Sequence, residues 1–234
     1  MDIATAKALV TGGSSGIGLE TARLLRSRGA QVAVCGRDEQ RLRRAASEID
    51  AVPIAGDVSV EADVVRIVRT VIETFGDYDV LINNAGFGLF APLVETRLED
   101  MQRVYGTNVF GAMLVARESA RHFITKNRGN IVNVASTAGQ RGYAGGTAYS
   151  SSKFALSGLT ECWRAELRKH NIRVMQINPS EVQTDFVAAS GRPLRGFSER
   201  KLIGADIAHV IVSMLELHDR GFVPEVPVWA TNPD

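Results

Sequence analysis

The chain has 234 residues, enough for one α/β domain and short for two. Its 27 lysines and arginines offset 26 aspartates and glutamates, a formal net charge of +1, so no surplus charge points to nucleic acid or an anionic membrane. Hydrophobic residues make up 45% of the chain, ordinary for a soluble protein with a core, and no apolar run approaches a membrane span.

Apolar β-rich runs alternate with helical patterns along the whole chain. The predicted strands are Lys7–Val10, Gln31–Cys35, Val52–Ala55, Val80–Ile82, Gly129–Val134, Arg173–Ile177 and Val226–Trp229. Between them the apolar spacing predicts helices over Ile17–Arg28, Glu39–Ile49, Glu61–Phe75, Leu98–Asn127, Thr147–Lys169 and Ala205–Leu217. Such alternation predicts an α/β fold. It is a doubly wound parallel sheet of about seven strands, Rossmann-like, with helices on both faces. No repeat or linker divides residues 1–234, which read as a single domain.

Between the first strand and first helix lies Thr11-Gly12-Gly13-Ser14-Ser15-Gly16-Ile17-Gly18. A strand, a glycine turn and a helix N-terminus make a cradle for a pyrophosphate, because the helix start offers unpaired N–H groups and partial positive charge. Gly12 is expected to turn the chain, Gly16 to leave room for the ligand, and Gly18 to let helix and strand lie close. Ser14 and Ser15 can add hydroxyl donors.

The second strand ends in Cys35-Gly36-Arg37-Asp38. At this tip an acid binds a ribose 2′-hydroxyl, whereas an arginine receives a 2′-phosphate. Gly36 supplies no acid and Arg37 follows it, while Asp38 suits the N-cap of the next helix. The nearby Arg41, Arg43 and Arg44 sit among Asp38, Glu39 and Glu48 and read as a solvated helix face. After the third strand, Asp57 could accept from the adenine amine and the Val58 amide could reach a ring nitrogen; taken alone, Asp57 reads as a helix cap. Asn83 and Asn84 close the fourth strand and can tie neighbouring strands together.

Ser136 follows the fifth strand, and Tyr149-Ser150-Ser151-Ser152-Lys153 opens a long helix. Residues four apart share a helix face, so Tyr149 and Lys153 are neighbours. A phenol ionises near pH 10, and a close ammonium favours the phenolate, which brings proton donation nearer neutral pH. Cys35 and Cys162 are distant and read as reduced, half-buried thiols. The four histidines are isolated, so no metal site is expected, and without a secretory signal the expected compartment is cytoplasmic.

Together these features resemble the short-chain dehydrogenase/reductase family, in its compact single-domain branch. The likeness rests on Thr11-Gly12-x-x-x-Gly16-Ile17-Gly18, Asn83-Asn84-Ala85-Gly86, Asn108, Ser136, Tyr149-x-x-x-Lys153 and Asn178-Pro179-x-x-Val182-x-Thr184. It implies that Tyr149 is the acid/base, that Ser136 holds the substrate oxygen, and that Lys153 binds the nicotinamide ribose. It further implies a water held by Asn108, nicotinamide contacts from Val182 and Thr184, and a ribose contact from Asn84. Ser180 stands where the family usually has glycine. The chain also lacks the glycine-rich tail of many relatives, which puts a tetramer in doubt.

The expected function is reduction of a ketone or aldehyde by NADPH. The alternative is a reductase of 3-oxoacyl thioesters; a non-catalytic dinucleotide-binding protein is remote, since Tyr149 and Lys153 are both present. Residues 185–203 are expected to form a substrate lid carrying Phe186, Val187, Leu194 and Phe197 beside Arg192, Arg195 and Arg200. A homodimer or homotetramer is expected through Leu98–Asn127 and Thr147–Lys169, whose apolar surplus includes Val115, Phe123, Leu156, Leu159 and Trp163.

Overall fold

Side chains on a strand alternate between faces, so a sheet covered on both sides needs apolar residues at every position. The central strands meet that requirement. In the computed structural model, which describes residues 1–184, 186 and 196–232, Ala8 and Val10 enter one core while Leu9 enters the other. Val32 and Val34 likewise oppose Ala33 and Cys35, and Val132 and Val134 oppose Ile131.

Seven strands pair in parallel: β1 (Lys7–Thr11), β2 (Gln31–Gly36), β3 (Val52–Ala55), β4 (Val80–Asn83), β5 (Gly129–Val134), β6 (Ile172–Pro179) and β9 (Glu225–Val228), in the order β3-β2-β1-β4-β5-β6-β9. A short parallel pair, β7 (Val182–Gln183) with β8 (Leu202–Ile203), stands apart. Helices α1 (Gly16–Ser27), α2 (Glu39–Glu48) and α7 (Gly204–Glu216) contribute to one core; α3 (Glu61–Phe75) and α5 (Ala112–Lys126) contribute to the other. The predicted doubly wound sheet is thus the observed one. The chain reverses direction of growth between β1 and β4, and the crevice at such a switch point is where ligands bind in this architecture.

Local signals explain most boundaries. In α3, Val64, Ile67, Val68 and Val71 share one buried face, and Gly76 ends the helix in the left-handed conformation. Asp38 caps α2, its carboxylate accepting from the Arg41 amide at 2.9 Å. Pro227 lies in β9, at the sheet edge, where a missing N–H costs no ladder bond on the outer side.

Three expectations change. The continuous helix over Leu98–Asn127 is α4 (Leu98–Tyr105), a π-helical turn over Gly106–Gly111, then α5. Cys35 is fully buried, which pushes its thiol up to about 12, whereas Cys162 is exposed on α6 (Thr147–Leu167); neither is half-buried. Of the apolar residues expected to face a second subunit, Val115, Phe123 and Leu156 lie in the chain's own core. Most of the predicted lid, residue 185 and residues 187–195, lies outside the described residues. Among the described residues, no helix is long and apolar enough to cross a membrane.

Candidate active site

The carboxyl ends of β1, β2, β4, β5 and β6 open into a cleft of about 1700 Å³. Fourteen predicted residues line it: Gly12, Ser14, Ser15, Gly16, Ile17, Arg37, Asp57, Val58, Asn84, Ser136, Tyr149, Lys153, Val182 and Thr184. Gly18 and Asn108 do not; both act from behind.

The glycine loop is shaped by packing as much as by turn geometry. Gly12 has φ +64°, and a Cβ there would lie 3.0 Å from Ala85 Cα. At Gly18 a Cβ would lie 2.4 Å from the Gly12 carbonyl oxygen, so only glycine lets α1 approach the turn. Gly16 lines the cleft beside Thr184, where an added Cβ would lie 3.2 Å from that side chain. Ser15 occupies the N-cap of α1 without a side-chain cap, so the first turn meets the cleft through its backbone. A narrow glycine turn ending on a helix start fits a dinucleotide pyrophosphate.

The amides of β4 brace this floor. Asn84 Nδ2 donates to the Thr11 and Gly12 carbonyls at 2.9 and 3.2 Å. Its Nδ2 is therefore committed to the loop, while the residue itself still lines the cleft. Asn83 donates to the Ala112 carbonyl and to Asn133 Oδ1, tying β4 to β5 and α5.

At the tip of β2, exposed Arg37 faces Asp57 across 3.8 Å. Its guanidinium also lies 6.0 Å from the Phe87 ring centre, with Arg103 at 5.9 Å. Asp57 is not the cap of α3; Val60 holds that position. The Asp57 carboxylate instead accepts from the Ser59 amide and hydroxyl, closing a turn ahead of the helix. A Cβ on Gly36 would sit 3.7 Å from Ser14 Oγ, so packing does not exclude a side chain there.

Across the cleft, Ser136 Oγ donates to the Pro179 carbonyl at 3.4 Å and accepts from the Ala138 amide at 3.1 Å. Tyr149 packs between Phe90 and Phe186, with ring centres 5.5 and 5.2 Å away. Lys153 is 5% exposed; its Nζ donates to the Val134 carbonyl at 2.9 Å and lies 5.8 Å from the Tyr149 ring centre. Burial lowers this lysine from 10.5 to about 8.

The π turn explains Asn108. One extra residue in the turn lets Nδ2 donate to the Phe87 carbonyl and to Ser152 Oγ, while Oδ1 accepts from the Phe87 amide. Both amide hydrogens are committed to protein, so only an oxygen of Asn108 remains for a water. Sequence reasoning missed the lining residues Phe87, Phe90, Arg141, Tyr143 and Trp229, which no motif or period marks.

A Rossmann-type oxidoreductase is the class this fold and site define. The family profile described as short chain dehydrogenase matches residues 6–194. An uncharacterized oxidoreductase of Bacillus subtilis is 38% identical over 76% of this chain, which spans about half (52%) of that relative's length. A Bos taurus 3-oxoacyl-[acyl-carrier-protein] reductase is 34% identical, over 88% of this chain and 90% of its own. An NADP-dependent 3-hydroxy acid dehydrogenase of Schizosaccharomyces pombe is 34% identical over 96% and 92%. Among solved structures, an alcohol dehydrogenase of the archaeon Thermococcus sibiricus complexed with 5-hydroxy-NADP aligns at TM-score 0.87. It is 26% identical, covering 97% of this chain and 98% of that one. The chain belongs to the short-chain dehydrogenase/reductase family.

Proposed function

We propose that the protein reduces a ketone or aldehyde to an alcohol with NADPH, in the cytoplasm. The observation that carries this reading is the shared cleft wall of Ser136, Tyr149 and buried Lys153, reached from the same cleft as the glycine loop. When bound, NADPH supplies the hydride; the protein supplies position and charge. The loop and the start of α1 hold the pyrophosphate, and Arg37 with Ser14 and Ser15 takes the 2′-phosphate. Asp57 and the Val58 main chain take the adenine, Lys153 the nicotinamide ribose, and Val182 and Thr184 the nicotinamide end. Ser136 Oγ holds the substrate oxygen, Tyr149 donates its hydroxyl proton to it, and the Lys153 ammonium stabilises the phenolate left behind. Asn84 and Asn108 serve as braces of the loop and of the Phe87 backbone. Reduction of 3-oxoacyl thioesters is the second reading, favoured by the bovine relative.

Cofactor choice tests the reading. A hydrogen bond to a charged group contributes about 1.5–3 kcal/mol, or roughly 10- to 100-fold. NADPH is expected to exceed NADH at least about tenfold in kcat/KM, with Arg37→Ala losing most of the difference and Gly36→Asp reversing it. Equal use of both cofactors by the unaltered protein rejects the assignment of Arg37.

We also propose a homodimer, or a homotetramer built on it, through the outer faces of the π turn and α6. Phe110 and Phe154, 56% and 46% exposed, form the apolar surface left there. Light scattering at micromolar concentration is expected to give at least a dimer mass; a monomer rejects this face.

A further inference from the structure

Most basic side chains facing the cleft already have partners. Arg37 faces Asp57, Lys201 Nζ holds Glu181 at 3.2 Å, and Lys153 donates to the Val134 carbonyl. Arg141 also lines the cleft, yet it is exposed and makes no hydrogen bond or ion pair among the described residues. Its position is specific. It lies on the segment joining the Thr137–Gly139 turn, which Ser136 caps, to the helix that carries Tyr149. The wall of this end is aromatic: Tyr143 stacks on Phe90 at 6.4 Å, and Phe90 packs on Tyr149 at 5.5 Å.

We propose that Arg141 binds an anionic group of the substrate, and that the substrate class is a carbonyl compound with an apolar body and a carboxylate or phosphate. The inference rests on the carbonyl-reductase reading above. A guanidinium offers a planar donor fork that matches either anion with two parallel hydrogen bonds. Aromatic rings beside Tyr149 accept the apolar body and place its carbonyl at the hydroxyl. The anion stays at the exposed rim, where its hydration is largely kept. A rim charge of this kind sets selectivity more than raw affinity.

Two matched pairs of probes separate the sources of the anion. Benzoylbutyrate against its methyl ester tests a free oxo acid. Acetoacetyl-coenzyme A against acetoacetyl-N-acetylcysteamine tests the phosphates of a thioester carrier. The anionic member of one pair is expected to be preferred about three- to fivefold in kcat/KM, as an exposed ion pair allows. Arg141→Gln is expected to lose most of that ratio, Arg141→Lys to keep the larger part, and added salt to shrink it. The pair that responds identifies the source. A ratio near unity in both pairs, or one that Arg141→Gln leaves intact, overturns the inference while turnover of the neutral members still upholds the reductase reading. Binding supplies a second readout through tryptophan fluorescence, since Trp229 lines the cleft. Tighter binding of the anion, lost in Arg141→Gln, in a protein that turns over none of the probes upholds Arg141 and overturns the reductase reading.

Discussion

Tyr149→Phe is expected to keep its fold and its affinity for NADPH while losing at least about 100-fold in turnover. The substitution preserves the ring that packs at 5.5 Å from Phe90 and 5.2 Å from Phe186, so the aromatic wall stays filled. Only the hydroxyl goes, and with it the proton donor. General acid catalysis contributes roughly 10²- to 10⁴-fold, and Ser136 and Lys153 remain to polarise the substrate oxygen, which argues for the lower part of that range. NADPH oxidation with a reducible ketone measures the loss, and cofactor titration checks that binding survives. Near-native turnover would remove Tyr149 from the mechanism.

Lys153→Met is expected to cost about 100-fold or more in turnover and to change how stability depends on pH. Because burial holds this lysine at about 8 against 10.5, its charged form is lost as pH rises through about 8. The kcat/KM for reduction in the unaltered protein is therefore expected to fall there, since the ammonium stabilises the phenolate. The same burial has a thermodynamic consequence. Between pH 8 and 10.5 the unfolded chain carries this proton and the folded chain does not, so the group makes stability rise with pH. The rise amounts to about 3 kcal/mol, complete above the unfolded value and lost as pH falls through the folded one. Buried Cys35, pushed up to about 12 from 9.0, acts in the opposite sense above its ordinary value. The comparison of urea unfolding in Lys153→Met and the unaltered protein cancels that opposing effect. Identical pH slopes in the two proteins would show that Lys153 is not buried as a destabilised cation.

Features that depend on local periodicity were legible in advance. Helices at Glu61–Phe75 and strands at Val52–Ala55 and Gly129–Val134 have the bounds their apolar spacing implies. The pairing of Tyr149 with Lys153 needs only the pitch of one helix, and Asp38 caps α2 because its carboxylate reaches an amide three residues on. The π turn was not legible. One added residue leaves an apolar pattern nearly undisturbed, and the reason for it, Asn108 reaching the Phe87 backbone, lies 21 residues away.

What the sequence determined by itself is the alternation that makes a parallel sheet, the glycine turn that leads into α1, and the presence of a phenol and an ammonium on one helix. Which distant side chains share the cleft was decided only by the order of the strands. That order made the Asn84 side-chain amide a brace of the loop, because β4 lies directly beside β1. It buried Cys35 in the core beneath α3 and α5 while leaving Cys162 in solvent. It also gathered Phe87, Phe90, Arg141 and Trp229 from three loops onto one rim. Periodicity reports which face of an element is buried. Only the packed sheet settles what that face meets, since contacts across strands carry no spacing along the chain.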